Sequence, residues 1–378
     1  MTQNYRNLFE YNPEVIYLNH ASTGLLPRRS VTAMIEYIEA LSSAGEPPID
    51  GLMAMQADFR FEAGKLLNVS PEEIAFIRNT TDGLTLALHS IDWKPGDNMV
   101  VQEDAFPASL YVAAYCFPKV EKRYVPLQNG EDFYQRLSQQ IDENTRAVVV
   151  DLVHFLTGFR LNLQQLSELK QKHNFYLIVD GIQGLGAVQV DLKNTAVDFF
   201  AAGGVKWLNA PAGTGILYLR QEILEELVPF HIGWAGAEYE DLTSLYPVRP
   251  LYKDARRFQP ANDNYIGMNG LIESIKLIHE ISAEKIEQEI RQTTGKVISA
   301  LKAHGYSLLT PDDGPKRAGI VSFKHPQVDS QQLYEKLQQN HVVCSLREGW
   351  IRLAFHFHNI VEEFEQVFSL LQSKVKEG

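Results

Sequence analysis

The chain has 378 residues, 45% of them hydrophobic and 22% charged, which excludes a disordered tail, a collagen or a small disulfide scaffold and leaves room for a large core. Lys plus Arg number 35 against 47 Asp plus Glu, a formal net charge of −12. That balance argues against nucleic acid as the main partner, since phosphate binding needs a basic face, but it permits one local basic pocket for a small anion.

The first residues lack the apolar stretch of a secretory signal, and no apolar run approaches the ~20 residues of a membrane span, so a cytoplasmic protein is expected. The two cysteines, Cys116 and Cys344, cannot build a disulfide framework or a four-cysteine zinc site. Both lie in apolar runs and read as buried small hydrophobes. Arg78-Asn79-Thr80-Thr81-Asp82 precedes an apolar periodic run and reads as a helix N-terminus. Its free N–H groups and hydroxyls suit either simple capping or a phosphate. Residues 98–102 read as a buried strand, followed by Phe106, a ring for the core or for stacking on a flat cofactor.

Strands are expected at 147–153, 175–180, 198–202 and 215–219, each short and rich in Val, Ile, Leu, Phe or Tyr. Leu163, Leu166 and Leu169 mark a crossover helix between the first two, and strand–helix–strand of this kind implies parallel pairing. Asp180 closes the second of these strands, free to cap the next turn or to face a cationic ligand, with Gln183 three residues on. Gly181, Gly184 and Gly186 have GxxGxG spacing, which is not the dinucleotide fingerprint. Lys206 follows a strand and a glycine pair, where open α/β sheets place their ligands; an amine near apolar walls has a lowered pKa and forms Schiff bases.

After about residue 250 the texture changes. A long helical pattern covers 270–304, strand-like pieces fall at 319–323, 342–346 and 350–355, and an amphipathic helix covers 361–375. A smaller α+β domain is expected here, with residues 1–255 forming the large domain, residues 256–378 the small one, and the N-terminal segment free to pack on the latter. His356 and His358 lie two apart on a strand, hence on one face, and read as structural histidines since no third metal ligand is evident.

The order of these signals resembles the class V aminotransferase family of pyridoxal-phosphate (PLP) enzymes, in the look of its isopenicillin N epimerase-like and cysteine desulfurase-like branch. The resemblance runs from Tyr17-Leu18-Asn19-His20 to Arg352 and the segment through Asn359, and residues 179–219 are its specific part. It implies the fold type I architecture: an α/β fold with a mainly parallel central sheet between helices, plus a smaller α+β C-terminal domain. It implies that Lys206 binds PLP as a Schiff base and abstracts the α-proton, and that Asp180 pairs with the ring nitrogen. Gln183 would bond the phenolic oxygen and Phe106 would stack on the ring. Thr80 and Thr81 would hold the phosphate, with Asn262 reaching the partner subunit's phosphate in a homodimer. Arg352, or the nearby Arg347 in its place, would clamp a substrate carboxylate, with Asn19 and His20 lining the substrate side.

The sequence also departs from the family's pattern. Residues 203–205 are Gly-Gly-Val where relatives often carry Ser or His, and Ala261-Asn262 stands where many carry Gly-Thr. The segment from Asp151 to His154 differs too, and no cysteine lies between Arg347 and Arg352, which disfavours desulfuration. The expected activity is an aminotransferase acting at the α-carbon of an amino acid. Epimerisation or elimination by the same residues is the alternative, and a non-catalytic PLP-fold binding protein is the second.

Overall fold

The computed structural model describes residues 5–45, 47–128, 130, 132–238 and 246–372. In chain order, β1 (Ile16–Tyr17), α1 (Arg28–Ala44), α2 (Ile49–Leu67), β2 (Ile74–Phe76), α3 (Thr80–Ser90) and β3 (Asn98–Gln102) come first. Then follow α4 (Pro107–Tyr111), β4 (Glu121–Val125), α5 (Phe133–Gln140), β5 (Thr145–Asp151), α6 (Leu163–Lys172), β6 (Tyr176–Asp180), β7 (Phe199–Gly203) and β8 (Gly215–Leu219). The remainder comprises α7 (Tyr265–Ile281), α8 (Ala283–Ala303), β9 (Ser307–Leu308), β10 (Ile320–Lys324), α9 (Ser330–Gln339), β11 (Val342–Val343), β12 (Ser345–Arg347), β13 (Trp350–Ala354) and α10 (Val361–Gln372).

The seven-stranded sheet has the order β2-β8-β7-β6-β5-β3-β4. Only β8 runs against the others, pairing antiparallel with both β7 and β2. The central strands are buried along their whole length, as parallel strands covered on both faces must be. One core, with Val148, Val150, Leu177 and Val179, fills one face, and a second, with Val149, Ile178, Phe199 and Ala201, fills the other. The α/β expectation with a mainly parallel sheet between helices is therefore met.

A four-stranded antiparallel sheet, β12-β13-β10-β9, has its own core with Val297, Leu301, Phe323 and Phe364. The N-terminal segment joins it: β1 pairs in parallel with β11, and Leu18 is buried in that third core. The helical pattern expected over 270–304 starts earlier and breaks at Ser282, whose φ is 75°. The Ser282 hydroxyl then accepts the Lys285 N–H and starts α8 as a separate helix. The strand expected over 342–346 is likewise broken at Cys344, and residues 373–375 of the last expected helix lie outside the described residues. The Cys116 expectation is corrected. Cys344 is buried, but Cys116 is exposed, because Val112–Cys116 winds as a π-helical turn that buries Val112 and Ala113 instead.

Among the described residues no helix is long and apolar enough to cross a membrane. His20, His356 and His358 meet where the N-terminal segment, the Lys206 turn and the chain after β13 converge. Ring centroids lie 4.8 Å apart for His20–His358 and 5.3 Å for His20–His356. All three are fully or almost fully buried, and both His20 nitrogens lack a partner among the described residues. Burial holds all three imidazoles below their ordinary range, His356 at about 4. The unfolded chain takes up these protons near pH 6.5, so this contribution to stability is full above about 6.5 and is lost as pH falls from there. Thermal melts should therefore show a fall in Tm from about pH 6.5 down to about 4, and His20→Leu should flatten it, since no His20 hydrogen bond is sacrificed.

Candidate functional site

The site is built at the carboxyl edge of the large sheet, where open α/β folds bind ligands. Asp151 ends β5 and Asp180 ends β6, and the two are register partners. The Asp180 carboxylate accepts the Ile182 N–H at 2.9 Å through Oδ1, while Oδ2 is buried with no partner among the described residues. Asp151 accepts the Phe106 N–H at 2.9 Å, which anchors the turn into α4. The Phe106 ring is 39% exposed and lies 5.1 Å from Lys206 Nζ.

Lys206 is only 9% exposed. Burial pulls its amine down to about 8; Asp180 and Asp151 oppose that, and Arg352 and Arg347 add to it. Burial pushes Asp180 up to about 6. Burial and the facing Asp180 push Asp151 well above the carboxylate range.

The turn that carries Lys206 is held by close backbone approaches. Gly24 donates its N–H to Val205 at 2.7 Å, and a Cβ there would meet the Lys206 carbonyl at 2.0 Å. Gly186, at φ +96°, abuts the Trp207 carbonyl, where a Cβ would fall at 2.2 Å. The glycines after β6 thus serve packing, which accounts for their departure from dinucleotide spacing. His356 Nδ1 accepts the Phe357 N–H, so its Nε2 carries the proton and donates to the Trp207 carbonyl at 2.8 Å.

Beside this turn, α3 begins where Asn79 accepts the Asp82 N–H. Thr80 Oγ1 accepts the Gly203 N–H at 2.9 Å, which ties the helix start to the end of β7. Thr81 is exposed at the same helix start.

Arg352 is 3% exposed and makes no ion pair among the described residues. It donates to the Phe155 carbonyl at 2.7 Å and to Ser22 Oγ at 3.0 Å, and its Nε has no partner. Asn19 Oδ1 accepts from Ser345 Oγ at 2.6 Å and from Ser22 Oγ at 3.0 Å, bracing both hydroxyls.

Lys206, Asp180 and Phe106 thus come together, with Thr80 and Thr81 at the adjoining helix start and Arg352 and Asn19 on the hairpin side. Three expected residues stand differently. Gln183 spends its oxygen on the Trp207 indole and one N–H on the Ala21 carbonyl. His20 is sealed in the histidine cluster and is 0% exposed. Asn262 lines a cavity of about 370 Å³ with Arg78, Asp82 and Asn264; Lys206 and Asp180 are not among its lining residues. Asp151, a departure from the family's pattern in the sequence, carries the same signal as Asp180, an acid closing a buried apolar strand. Ser22, Phe155 and Ser345 carried no local signal at all. Among the described residues no group of three or more His, Cys, Asp or Glu is arranged to hold a metal ion.

A buried amine at the sheet edge, a carboxylate oxygen without a partner near it and a half-exposed ring 5.1 Å from it make a site suited to a flat, carbonyl-bearing cofactor. The Aminotransferase class-V family matches residues 16–363, and the chain belongs to that family. A probable cysteine desulfurase of Pyrococcus abyssi is 25% identical over 96% of this chain and 95% of its own. The uncharacterized aminotransferase YcbU of Bacillus subtilis is 25% identical over 99% of this chain and 98% of its own. A C-DES variant with glycine covalently linked to its PLP cofactor superposes with a TM-score of 0.89 at 23% identity, covering 98% of this chain and 100% of that one. The expected cofactor, pyridoxal 5'-phosphate, fits the residues present: the unpartnered Asp180 Oδ2 is the acceptor that a protonated ring nitrogen needs.

With Lys206 at about 8, roughly a tenth of the amine is free at pH 7. In the cofactor-free chain, the rate at which Lys206 reacts with an amine-directed reagent should rise about tenfold per pH unit up to about 8 and then level off. Peptide mapping of the labelled lysine checks this; a rise that continues to pH 10 would mean an unperturbed amine.

Proposed function

We propose that this protein is a PLP-dependent enzyme acting at the α-carbon of an amino acid, with transamination as its reaction. The observation that carries the amino-acid substrate is Arg352, a guanidinium 3% exposed with no acidic partner among the described residues, in the same site as Lys206; transamination follows from the Aminotransferase class-V family. A cation in that state needs an anion, and a guanidinium takes a carboxylate bidentately.

When bound, PLP supplies an electron sink for the pair left behind as the α-proton leaves. The chain's residues do the rest. Asp180 Oδ2 would hold the proton on the ring nitrogen, and Phe106 would cover one face of the ring. Thr80, Thr81 and the first amides of α3 would hold the phosphate. Gln183 retains one N–H for the phenolic oxygen. Arg352, steadied by Ser22, Ser345 and the Phe155 carbonyl, would bind the substrate carboxylate. The Lys206 amine would hold the cofactor and, once the substrate amine has displaced it, would be free to take the α-proton and return it. Its lowered basicity suits both tasks near neutral pH.

Desulfuration by a protein thiol has no support in this site. Burial pushes the Cys344 thiol up to about 12, and Glu348 and Gly349, both at positive φ, close the hairpin with no loop to carry a cysteine. A homodimer is part of the reading. Val31, Ile35 and Ile38 line an exposed face of α1, and Phe230 and Val248 add further exposed apolar surface. Asn262 would serve the partner's site across that contact.

Incubation with an amino-acid panel, with and without a keto-acid acceptor, tests the reaction by mass spectrometry. The expected outcome is an aminated acceptor in step with a new keto acid. Ammonia and a keto acid without acceptor would mean elimination, and deuterium at an intact α-carbon would mean epimerisation. PLP held with no turnover of any substrate would leave a binding protein. Lys206→Ala should abolish the absorbance of lysine-bound cofactor. Arg352→Ala should raise the apparent KM for the amino acid by about 10–100-fold, the loss of a charge-assisted pair.

A further inference from the structure

We propose that Arg347 forms a second anion subsite beside Arg352, so that the amino acid or keto acid this enzyme takes is a dianion, carrying a second acidic group beyond its α-carboxylate. The proposal rests on the reading of Arg352 given above.

The hairpin β12–β13 pairs Ser345 with Arg352 and Arg347 with Trp350. Side chains alternate along a strand, so Ser345 and Arg347 share a face, and that face is also the one Arg352 occupies. The hydrogen bond from Arg352 to Ser345 Oγ, 3.3 Å, fixes it as the face turned to the site. Arg347 is therefore the diagonal cross-strand neighbour of Arg352, a spacing of roughly 7–8 Å between backbone positions. The two-residue turn through Glu348 and Gly349, at φ 48° and 71°, is a tight hairpin connection that fixes this spacing.

The charges are sorted. On the sheet edge stand the acids Asp151 and Asp180. On the hairpin stand Arg352, buried, and Arg347, exposed, with the acid Glu348 exposed in the turn beyond Arg347. The Arg347 guanidinium acts on both Arg352 and Lys206, as its place near both requires. Neither arginine forms an ion pair among the described residues. Further along the same face, Lys324 Nζ lies 4.4 Å over the Trp350 ring. A positive strip thus runs outward from the site in a chain whose net charge is −12. Two uncompensated guanidiniums one diagonal apart match an α-carboxylate and a second carboxylate on a short chain, and the strip draws such a molecule in.

Calorimetric titration of the cofactor-loaded protein with succinate, glutarate and butyrate tests this. At least one diacid should bind about tenfold or more tighter than butyrate, the worth of one added charge-assisted pair. Arg347→Gln should bring that diacid down to the affinity of butyrate, Arg347→Lys should restore part of the difference, and Arg352→Gln should weaken all three acids. Equal binding of diacids and butyrate would overturn the proposal, and so would a preference that survives Arg347→Gln. If Arg347→Gln instead weakens retention of PLP and leaves the acids unchanged, the second anion is the cofactor's phosphate and the proposal fails. If no acid binds and no α-amino acid alters the cofactor spectrum, it is the Arg352 reading that fails, and this one falls with it.

Discussion

The site depends on the immobility of one short stretch of backbone, Val205 to Trp207. Gly24 presses against it from the N-terminal segment, Gly186 from the turn after β6, and His356 from the chain after β13. Each contact is made to a carbonyl of the turn, so the main chain that carries the lysine is held before its side chain touches any ligand. Side-chain bulk at Gly24 or Gly186 would push directly on that backbone. The Trp207 indole, tied to Gln183, extends the same clamp into the core.

A second constraint is electrical. Two carboxylates and an amine share a buried sheet edge, and an arginine stands buried opposite them. Burial alone would neutralise each of these groups, and it moves each toward its neutral form. What opposes that drift is the amine set against the acids: Lys206 draws both carboxylates down, and they in turn draw its amine up, while the guanidiniums stand apart on the hairpin. That polarity suits a ligand with a cationic end and an anionic end, which is what an amino acid on a protonated ring presents.

Much of this was legible in the sequence because the signals were local. Buried strands closed by Asp180, a lysine after a glycine pair and hydroxyls at a helix start each reside in a few consecutive residues, and their order along the chain carried the family resemblance. What escaped was assembled by tertiary contact. Ser22, Phe155 and Ser345 meet Arg352 from three separate segments, and no periodicity marks them. The resemblance places His20 on the substrate side with Asn19, but the chain turns at Asn19, whose carbonyl accepts the Ser22 and Thr23 N–H groups, and His20 is buried in the histidine cluster. The break at Ser282 was hidden because the apolar period continues across it; only the positive φ reveals two helices.

The parallel pairing of Ile16–Tyr17 with Val342–Val343 has a consequence for biogenesis. Ile16 and Tyr17 leave the ribosome long before Val342 and Val343, and find their strand partner only once those have emerged. Until then Leu18 has no core to enter, Asn19 has no Ser345 to brace, and an unpaired strand edge is open to the wrong neighbour. The central sheet can form from its own sequential strands much earlier. Synthesis therefore passes through a stage in which the central sheet is built but the lysine turn still lacks its His356 contact and the carboxylate-binding side is absent. Competence arrives in one late closure, and a prematurely terminated chain is inert toward substrate rather than partly active.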